Sequence, residues 1–356
     1  MNPALQLNEV GQALWLDNIT RGLLTSGTLE KYIRDYDLKG LTSNPSIFEA
    51  AIHGADFYDK AILERSAAGE AGEALFLEMA LEDLRAAADL FLPMYKSSNG
   101  HDGWVSMEVS PLLVHDAEGT LREAKTLHER LDRPNAFIKI PGTPEGVKAI
   151  EEAIFAGIPV NVTLLFSREH YLAAAEAYLR GIERRIEAGL DPKVASVASV
   201  FVSRWDTAVK DKGPEGSNNT LGIAMARRTY VAYRELLASQ RWKLLAEKGA
   251  LPQRLLWAST GTKDPAASDV LYVTSLMAPN TINTMPEKTM LAFADHGVVN
   301  GSMPPEGGDA EKVIAKFAEA GIDVDGLAAQ LQREGAEAFS KSWAQMLDVL
   351  IEKSKA

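Results

Sequence analysis

Eight short apolar runs, separated by segments with helical spacing in a chain of 356 residues, predict an α/β protein with a (β/α)8 barrel (TIM barrel) and additional helices. Strands separated by helices pair in parallel, and eight such units favour a closed barrel. An open, doubly wound sheet is the structural alternative, because strand counts alone do not distinguish the two. The additional helices include a C-terminal helical extension.

The predicted strands are rich in Val, Ile, Leu and Phe. In a parallel barrel both faces of a strand are buried, which explains why these runs are apolar almost throughout. They cover residues 13–18 (ALWLDN), 38–44 (LKGLTSN), 105–110 (VSMEVS), 136–141 (AFIKIP), 160–166 (VNVTLLF), 197–204 (VASVFVSR), 255–260 (LLWAST) and 280–285 (NTINTM).

The segments between the strands carry helix start and stop signals. In the segment 143–157, Thr143 can cap the N-terminus, Pro144 suits the first helical position and Gly157 can end the helix. The segment 167–189 starts with a serine and ends with a glycine in the same way. Helices are therefore expected between successive strands.

Three segments exceed a minimal barrel. They are a helical stretch from about residue 45 to 95, a loop with Gly and Asn at 211–220, and a helical region that follows a Pro/Gly-rich turn near residue 304. We expect residues 1–304 to form the barrel and residues 305–356 to form a helical extension packed on it. Together they would make a single domain.

Composition excludes several classes of function. A formal net charge of -12 argues against a nucleic-acid partner, although a few local cations could still bind a small phosphorylated ligand. The chain has no cysteine, and nowhere do eighteen apolar residues run together. The N-terminus lacks the features of a signal peptide. We therefore expect a cytoplasmic protein that has no membrane partner. Composition does not decide the oligomeric state, for which a monomer or homodimer is expected.

Polar residues interrupt the predicted strands, mostly in their C-terminal halves. A buried polar residue costs free energy unless it is paired or used, and that end of a barrel is where active sites lie. Any one of them could be a satisfied buried group, but a set with two acids and a central lysine predicts an active site. The set is Asp17, Asn18, Thr42, Asn44, Glu108, Lys139, Asn161, Thr163, Ser199, Arg204 and Ser259.

Lys139 is the strongest candidate for a catalytic residue. Its neighbours Phe137, Ile138 and Ile140 suggest that the ammonium group is partly removed from water, which disfavours the charged form. A neutral amine attacks carbonyl groups to give a Schiff base, whose protonated nitrogen withdraws electrons from the adjacent carbon–carbon bond. The alternative is a lysine at a strand end that extends its head group outward, and the strand alone fits both.

Two acids in other predicted strands favour the chemical interpretation. Asp17 and Glu108 would provide a general acid/base pair that moves protons to and from a hydroxyl group and a water molecule. Either carboxylate could instead be an ion-pair partner of Lys139 or Arg204.

Other chemistries have weak support. The run 142–148 (GTPEGVK) is one residue short of a phosphate-binding loop and lacks its GK[ST] ending, and no GxGxxG motif occurs. The six histidines form no ligand cluster, so no metal site is expected. An enzyme that uses pyridoxal phosphate, which also needs a lysine, is a remote alternative.

The motifs as a set resemble the transaldolases, in order from about residue 13 to at least residue 290. The resemblance implies a Schiff-base enzyme without metal or organic cofactor. It would transfer a dihydroxyacetone unit from a ketose phosphate to an aldose phosphate in the pentose phosphate pathway. The motifs are WLDNI (15–19), LTSNPSIF (41–48), VSMEVS (105–110), FIKIPGTPEG (137–146), NVTLLFS (161–167), SVFVSR (199–204) and WASTGTKD (257–264).

The resemblance also implies catalytic roles. Lys139 matches the Schiff-base lysine. Asp17 matches the acid/base that takes the proton of the donor hydroxyl and returns it to the acceptor aldehyde. Glu108 and Thr163 match the pair that holds the water used in making and hydrolysing the imine.

Substrate-binding roles follow from the same motifs. Asn44 and Asn161 match amides that bind substrate hydroxyls, and Ser199 matches a further hydrogen-bonding residue near the dihydroxyacetone unit. Arg204 matches an arginine whose planar fork binds phosphate. Ser259 matches a second phosphate ligand.

The sequence departs from the transaldolase pattern at two places. Many transaldolases have a second arginine two residues after the serine that matches Ser259, where this chain has Gly261. We hypothesise that Lys263, the nearest cation, makes that phosphate contact as a point charge. The proline that often follows the serine matching Ser199 is also missing.

Two alternatives to a transferase remain at this point. A simple aldolase would release free dihydroxyacetone, but aldolases with this resemblance are much shorter and tend to have tyrosine where this chain has Phe201. A catalytically silent barrel that binds sugar phosphates is the other alternative. The intact set of Asp17, Glu108, Lys139 and Thr163 argues against it.

Overall fold

The computed structural model describes residues 2–54 and 56–355, and it contains one sheet of eight parallel strands. The strands follow the order β2-β1-β8-β7-β6-β5-β4-β3. They are β1 (Gln12–Leu16), β2 (Gly40–Leu41), β3 (Val105–Glu108), β4 (Ala136–Pro141), β5 (Val160–Leu165), β6 (Ser196–Phe201), β7 (Gln253–Ala258) and β8 (Thr281–Met285).

The two ends of this sheet meet, which closes the barrel. Gly40 of β2 forms a parallel bridge with Trp104, the residue before β3, and the amide of Leu41 donates to the carbonyl oxygen of Trp104 at 2.9 Å. A side chain on Gly40 would not fit, because a Cβ there would lie 2.6 Å from that same oxygen. The predicted (β/α)8 barrel is therefore confirmed over the open sheet.

Helices surround the barrel and extend beyond it. One 3₁₀ turn, Pro111–Leu113, follows β3. The described residues form α1 (Pro3–Val10), α2 (Arg21–Thr25), α3 (Thr28–Tyr36), α4 (Pro45–Gly54), α5 (Asp59–Ala67), α6 (Gly72–Ser97), α7 (Ala117–Leu131), α8 (Pro144–Phe155), α9 (Arg168–Glu187), α10 (Ser203–Val209), α11 (Leu221–Ala238), α12 (Gln240–Glu247), α13 (Leu271–Ser275), α14 (Glu287–His296), α15 (Ala310–Glu319) and α16 (Val324–Lys353).

The capping residues identified in the sequence correctly predicted where α8 and α9 begin. Thr143 caps α8 by accepting a hydrogen bond from the amide of Gly146 at 3.1 Å, and Ser167 caps α9 by accepting from the amide of His170 at 3.1 Å. The helical stretch predicted from about residue 45 to 95 consists of three helices, α4 to α6, rather than one.

The lower, amino-terminal half of the barrel is filled by apolar side chains. Trp104 stacks on Phe137 with ring centroids 4.1 Å apart, and Trp15 lies beside them. Val197, Leu256 and Ile282 belong to the same buried cluster. The polar residues of the predicted site lie beyond this cluster, towards the carboxyl ends of the strands.

The C-terminal helix α16 lies across the mouth of the barrel. It packs on α4, and its Trp343 meets Phe76 of α6 edge to face at 5.1 Å. Gln332 of the same helix donates hydrogen bonds to backbone carbonyls just beyond β4 and within β5. Among the described helices, we find none with the length and apolar character that crossing a membrane requires.

Candidate active site

A cavity of about 570 Å³ opens at the carboxyl ends of the strands. This is the end of a barrel at which ligands bind. Most of the predicted site residues converge on this cavity from six different strands or the loops that follow them. The predicted residues that line it are Asp17, Asn44, Lys139, Thr163, Ser199, Arg204, Ser259 and Lys263.

Lys139 points into the barrel from the middle of β4 and is 4% exposed. Its Nζ atom lies 3.0 Å from Oε2 of Glu108 and donates to the carbonyl oxygen of Ser43 at 2.8 Å. Strand register explains the ion pair, because Glu108 of β3 stands directly beside Lys139. The ammonium group therefore has a carboxylate partner and one fixed backbone acceptor.

Asp17 follows β1 on the other side of the cavity. Its Oδ1 accepts a hydrogen bond from the hydroxyl of Thr42 at 2.8 Å, and this hydroxyl also lies 2.7 Å from that of Thr284. Burial raises the pKa of Asp17 above its ordinary value, and the charge of Lys139, the bond from Thr42 and the charge of Lys263 oppose the rise only in part. A carboxyl group with a raised pKa is suited to both taking and giving a proton.

Glu108 and Thr163 flank the lysine. Burial is the main cause that raises the pKa of Glu108, against the attraction of Lys139. The Thr163 side chain is fully buried, and its hydroxyl oxygen has no hydrogen-bond partner among residues 2–54 and 56–355. A buried unpaired hydroxyl that lines a cavity is a ready partner for a water molecule or a ligand.

Asn161 occupies a different position from the other predicted substrate ligands. It stands beside Lys139 in strand register, but it is fully buried and is absent from the lining of the cavity. Its Nδ2 donates to the hydroxyl of Ser106 at 3.1 Å, and its Oδ1 accepts from the hydroxyl of Ser199 at 2.7 Å. Asn161 therefore orients Ser199, which does line the cavity.

Two cations, Arg204 and Lys263, line the cavity, and together with Ser259 they form what we call the cationic corner. The guanidinium of Arg204 has no carboxylate within ion-pair distance in the described part of the chain, and it lies 5.3 Å and 5.9 Å from the ring centroids of Phe201 and Phe339. Burial lowers the pKa of Arg204, and Glu334 and Glu108 oppose this from a distance. An unpaired guanidinium beside a cavity suits an anion.

Ser259 and Lys263 complete this corner. Ser259 has a φ of 56°, in the left-handed region that is uncommon for residues other than glycine, and its hydroxyl lies 2.8 Å from that of Ser203. Strain of this kind clusters at ligand sites. Lys263 lines the same cavity from the loop after β7, and the phosphate contacts of both residues stay predictions.

Sequence reasoning missed some of the lining residues. Phe339 comes from α16, whose helical pattern gave no sign of where it docks, and Ser46 and Ile47 come from the start of α4. Thr284 lies within the eighth predicted strand, and the alternation of side chains along that strand could have predicted that it points inward. No group of three or more His, Asp or Glu side chains in the described ranges could hold a metal ion.

Comparison with known proteins identifies the family. The sequence model described as Transaldolase/Fructose-6-phosphate aldolase matches residues 14–350. A transaldolase of Saccharopolyspora erythraea is 45% identical over 354 residues, which cover 98% of this chain and 96% of that protein. A transaldolase of Frankia alni is 44% identical over 362 residues, covering 99% and 97%, and one of Arthrobacter sp. is 45% identical over 354 residues, covering 97% and 95%. The chain therefore belongs to the transaldolase/fructose-6-phosphate aldolase family.

Proposed function

We propose that this protein is a transaldolase of the non-oxidative pentose phosphate pathway. It transfers a dihydroxyacetone unit from sedoheptulose 7-phosphate or fructose 6-phosphate to erythrose 4-phosphate or glyceraldehyde 3-phosphate, and it needs no cofactor. The observation that carries this proposal is the buried ion pair of Lys139 and Glu108, whose lysine lines one cavity with Asp17.

The first step makes an imine. A proton moves from the Lys139 ammonium to Glu108, whose pKa is raised by burial. The free amine attacks the ketose carbonyl carbon, and the carbinolamine oxygen takes one proton from the nitrogen and one from Glu108 and leaves as water. The hydroxyl of Thr163, which has no protein partner among the described residues, hydrogen-bonds that water.

Carbon–carbon cleavage follows. Asp17 removes the proton of the hydroxyl on the far carbon of the bond that breaks, and that carbon becomes the carbonyl of the leaving aldose. The electrons of the broken bond move towards the iminium nitrogen. An aldose phosphate leaves, and an enamine remains on Lys139. The enamine then adds to the carbonyl of the acceptor aldehyde, Asp17 returns its proton to the new hydroxyl, and water hydrolyses the imine.

Phosphate binding supports the choice of substrates. Arg204, Ser259 and Lys263 line the same cavity as Lys139. A sugar phosphate whose carbonyl meets Lys139 could place its phosphate against these residues. Asn44 and Ser199 also line the cavity and provide partners for hydroxyl groups. A cytoplasmic location and a monomer or homodimer remain predictions.

Trapping with borohydride tests the proposal. Fructose 6-phosphate and borohydride should leave a reduced adduct on Lys139, located by peptide mass. Without borohydride, adding erythrose 4-phosphate should speed turnover of the donor. Turnover that releases free dihydroxyacetone and ignores the acceptor would identify a simple aldolase. Absence of any adduct would overturn both enzymatic functions and leave a silent sugar-phosphate-binding barrel.

A further inference from the structure

One glutamine of α16 reaches the two strands that carry Lys139 and Thr163. Gln332 is 8% exposed, and its Nε2 donates to the carbonyl oxygens of Gly142 and Leu164, each at 3.0 Å. A primary amide nitrogen has two hydrogens, so both donors are used. Gly142 comes just after the strand of Lys139, and Leu164 follows Thr163 directly.

The backbone at Leu164 is in an unusual conformation. Its φ is 59°, in the left-handed region that carries a steric cost for a residue with a Cβ. The pairing of β5 with β6 also changes register between Val162 and Leu165. Such a conformation persists only where the surrounding structure holds it. The hydrogen bond from Gln332 to the Leu164 carbonyl is one contact that does so.

A second bond holds the preceding peptide, between Thr163 and Leu164. The amide of Gly142 donates to the carbonyl oxygen of Thr163 at 2.8 Å, while the carbonyl of Gly142 accepts from Gln332. Gln332 thus connects to the peptides on both sides of Leu164, one directly and one through Gly142. Because the Thr163 hydroxyl has no hydrogen-bond partner in the described residues, its position depends on the backbone.

The helix is closely packed at this point. A Cβ at Gly335 would lie 2.8 Å from Cδ2 of Leu164 and 3.1 Å from Nη1 of Arg204. Phe339, one turn further along, lines the cavity. Positions 332, 335 and 339 share one face of α16. The hydrogen bonds of Gln332 therefore help to fix how this face is positioned along the cavity.

We propose that Gln332 is a positioning residue for imine formation. It holds the Leu164 backbone so that the Thr163 hydroxyl can bind the water that leaves and re-enters at Lys139. This inference rests on the proposed function, because it assigns Gln332 to the water step of the Schiff base and not to carbon–carbon cleavage or phosphate binding.

The variant Gln332→Met tests this, since methionine matches the length of glutamine and donates no hydrogen bond. We expect the rate at which fructose 6-phosphate gives a borohydride-trapped adduct to fall about 10- to 100-fold, the size of effect that a misplaced catalytic group causes. The KM for the acceptor aldose phosphate should stay unchanged. A general loss of structure would instead change this KM as well. Gln330→Met is the matched control, because Gln330 lies exposed on the same helix and its side-chain amide donates to Glu334.

A double variant tests whether the effect passes through Thr163. In a Thr163→Val background, Gln332→Met should slow adduct formation by less than about twofold further, because residues that act as one unit are not additive. Full additivity would overturn the proposal. So would an adduct rate for Gln332→Met equal to that of Gln330→Met.

Folding and function can be told apart. Gln332→Asn keeps an amide but is one methylene too short to reach both carbonyls, and it should slow adduct formation in the same way. If neither variant folds, Gln332 serves folding and the proposal is wrong. If the wild-type chain forms no adduct, the proposed function fails instead, whatever the variants do.

Discussion

The Nζ atom of Lys139 and Oε2 of Glu108 lie 3.0 Å apart, and each of the two side chains is only 5% exposed. A buried charge without its partner is costly, so the two groups stabilise each other's charged forms. Movement of one proton across this contact turns the ion pair into a neutral amine and a neutral acid. The same contact can therefore serve both the stability of the resting protein and its first chemical step.

Replacement of Lys139 by methionine should abolish transfer and borohydride trapping, because no nucleophilic nitrogen remains. The change also leaves Glu108 buried without its cation, so the free energy of unfolding should fall by about 3–5 kcal/mol. Activity, trapping and urea unfolding measure these effects. Adding Glu108→Gln should restore part of the stability and none of the activity, and a trapped adduct in Lys139→Met would refute the assignment.

Replacement of Asp17 by asparagine should separate imine formation from cleavage. Asparagine keeps the shape and can accept from Thr42, but it cannot take a proton, so kcat should fall by about 10²- to 10⁴-fold. Trapping with fructose 6-phosphate should persist. Rapid-quench assays compare the two rates, with the exposed Asp211→Asn as control. Equal losses of trapping and transfer would contradict this role.

Lys263→Ala tests the second phosphate contact. A hydrogen bond to a charged group contributes roughly 1.5–3 kcal/mol, so the KM for both phosphorylated substrates should rise about 10- to 100-fold. The exposed Lys212→Ala should leave both constants unchanged. Unchanged constants in Lys263→Ala would remove this lysine from the phosphate site.

Phe339→Ala tests the contribution of α16 to the cationic corner. The Phe339 ring lies 5.9 Å from the Arg204 guanidinium. A cation–π contact contributes about 0.5–2 kcal/mol, so the KM for phosphorylated substrates should rise about 2- to 30-fold. The KM for unphosphorylated dihydroxyacetone donors should change little. A KM that rises equally for both substrate types would point to a general disturbance of the cavity.

Stability should depend on pH through Asp206. This buried carboxyl accepts from the amides of Leu221 and Gly222 at the start of α11 and from the hydroxyl of Tyr272. Burial nevertheless raises its pKa from 3.8 to about 6. The folded protein thus holds this proton more tightly than the unfolded chain, so the contribution to stability is complete below pH 3.8 and is lost as the pH rises through about 6.

The variant Asp206→Asn should remove this dependence. The free energy of unfolding of wild type relative to the variant should fall by roughly 3 kcal/mol between pH 3.5 and 7. Urea titrations at several pH values measure it, and the exposed Asp211→Asn is the control. A difference that stays constant or grows with pH would contradict the assignment.

The sequence predicted the barrel and most of the site because both follow from local patterns. Buried parallel strands are apolar, so the polar residues Asp17, Glu108 and Lys139 stood out, and parallel strands place their carboxyl ends together. The second strand was predicted as residues 38–44 but is only Gly40–Leu41. The polar part of that run lies beyond the paired residues of β2, where the carbonyl oxygen of Ser43 accepts a hydrogen bond from Lys139.

Contacts between distant segments could not be predicted in this way. Helical periodicity shows which face of α16 is apolar but not where that face docks. The contacts of Gln332 and Phe339 could therefore not be predicted from the sequence. The left-handed conformation of Leu164 was equally hidden, because VNVTLLF reads as an uninterrupted strand. For Asn161 the pattern indicated a buried polar group without showing whether it contacts ligand or protein.

The position of α16 has a consequence for biosynthesis. Translation produces all eight strands, the last ending at Met285, before Val324 begins the helix that supplies one wall of the cavity. Domains begin to fold from the N-terminus during synthesis. A ribosome-bound barrel can thus contain Lys139 and Glu108 while the arginine of the cationic corner still lacks its second aromatic neighbour. The contact between Phe339 and the Arg204 guanidinium can form only after α16 has been synthesised.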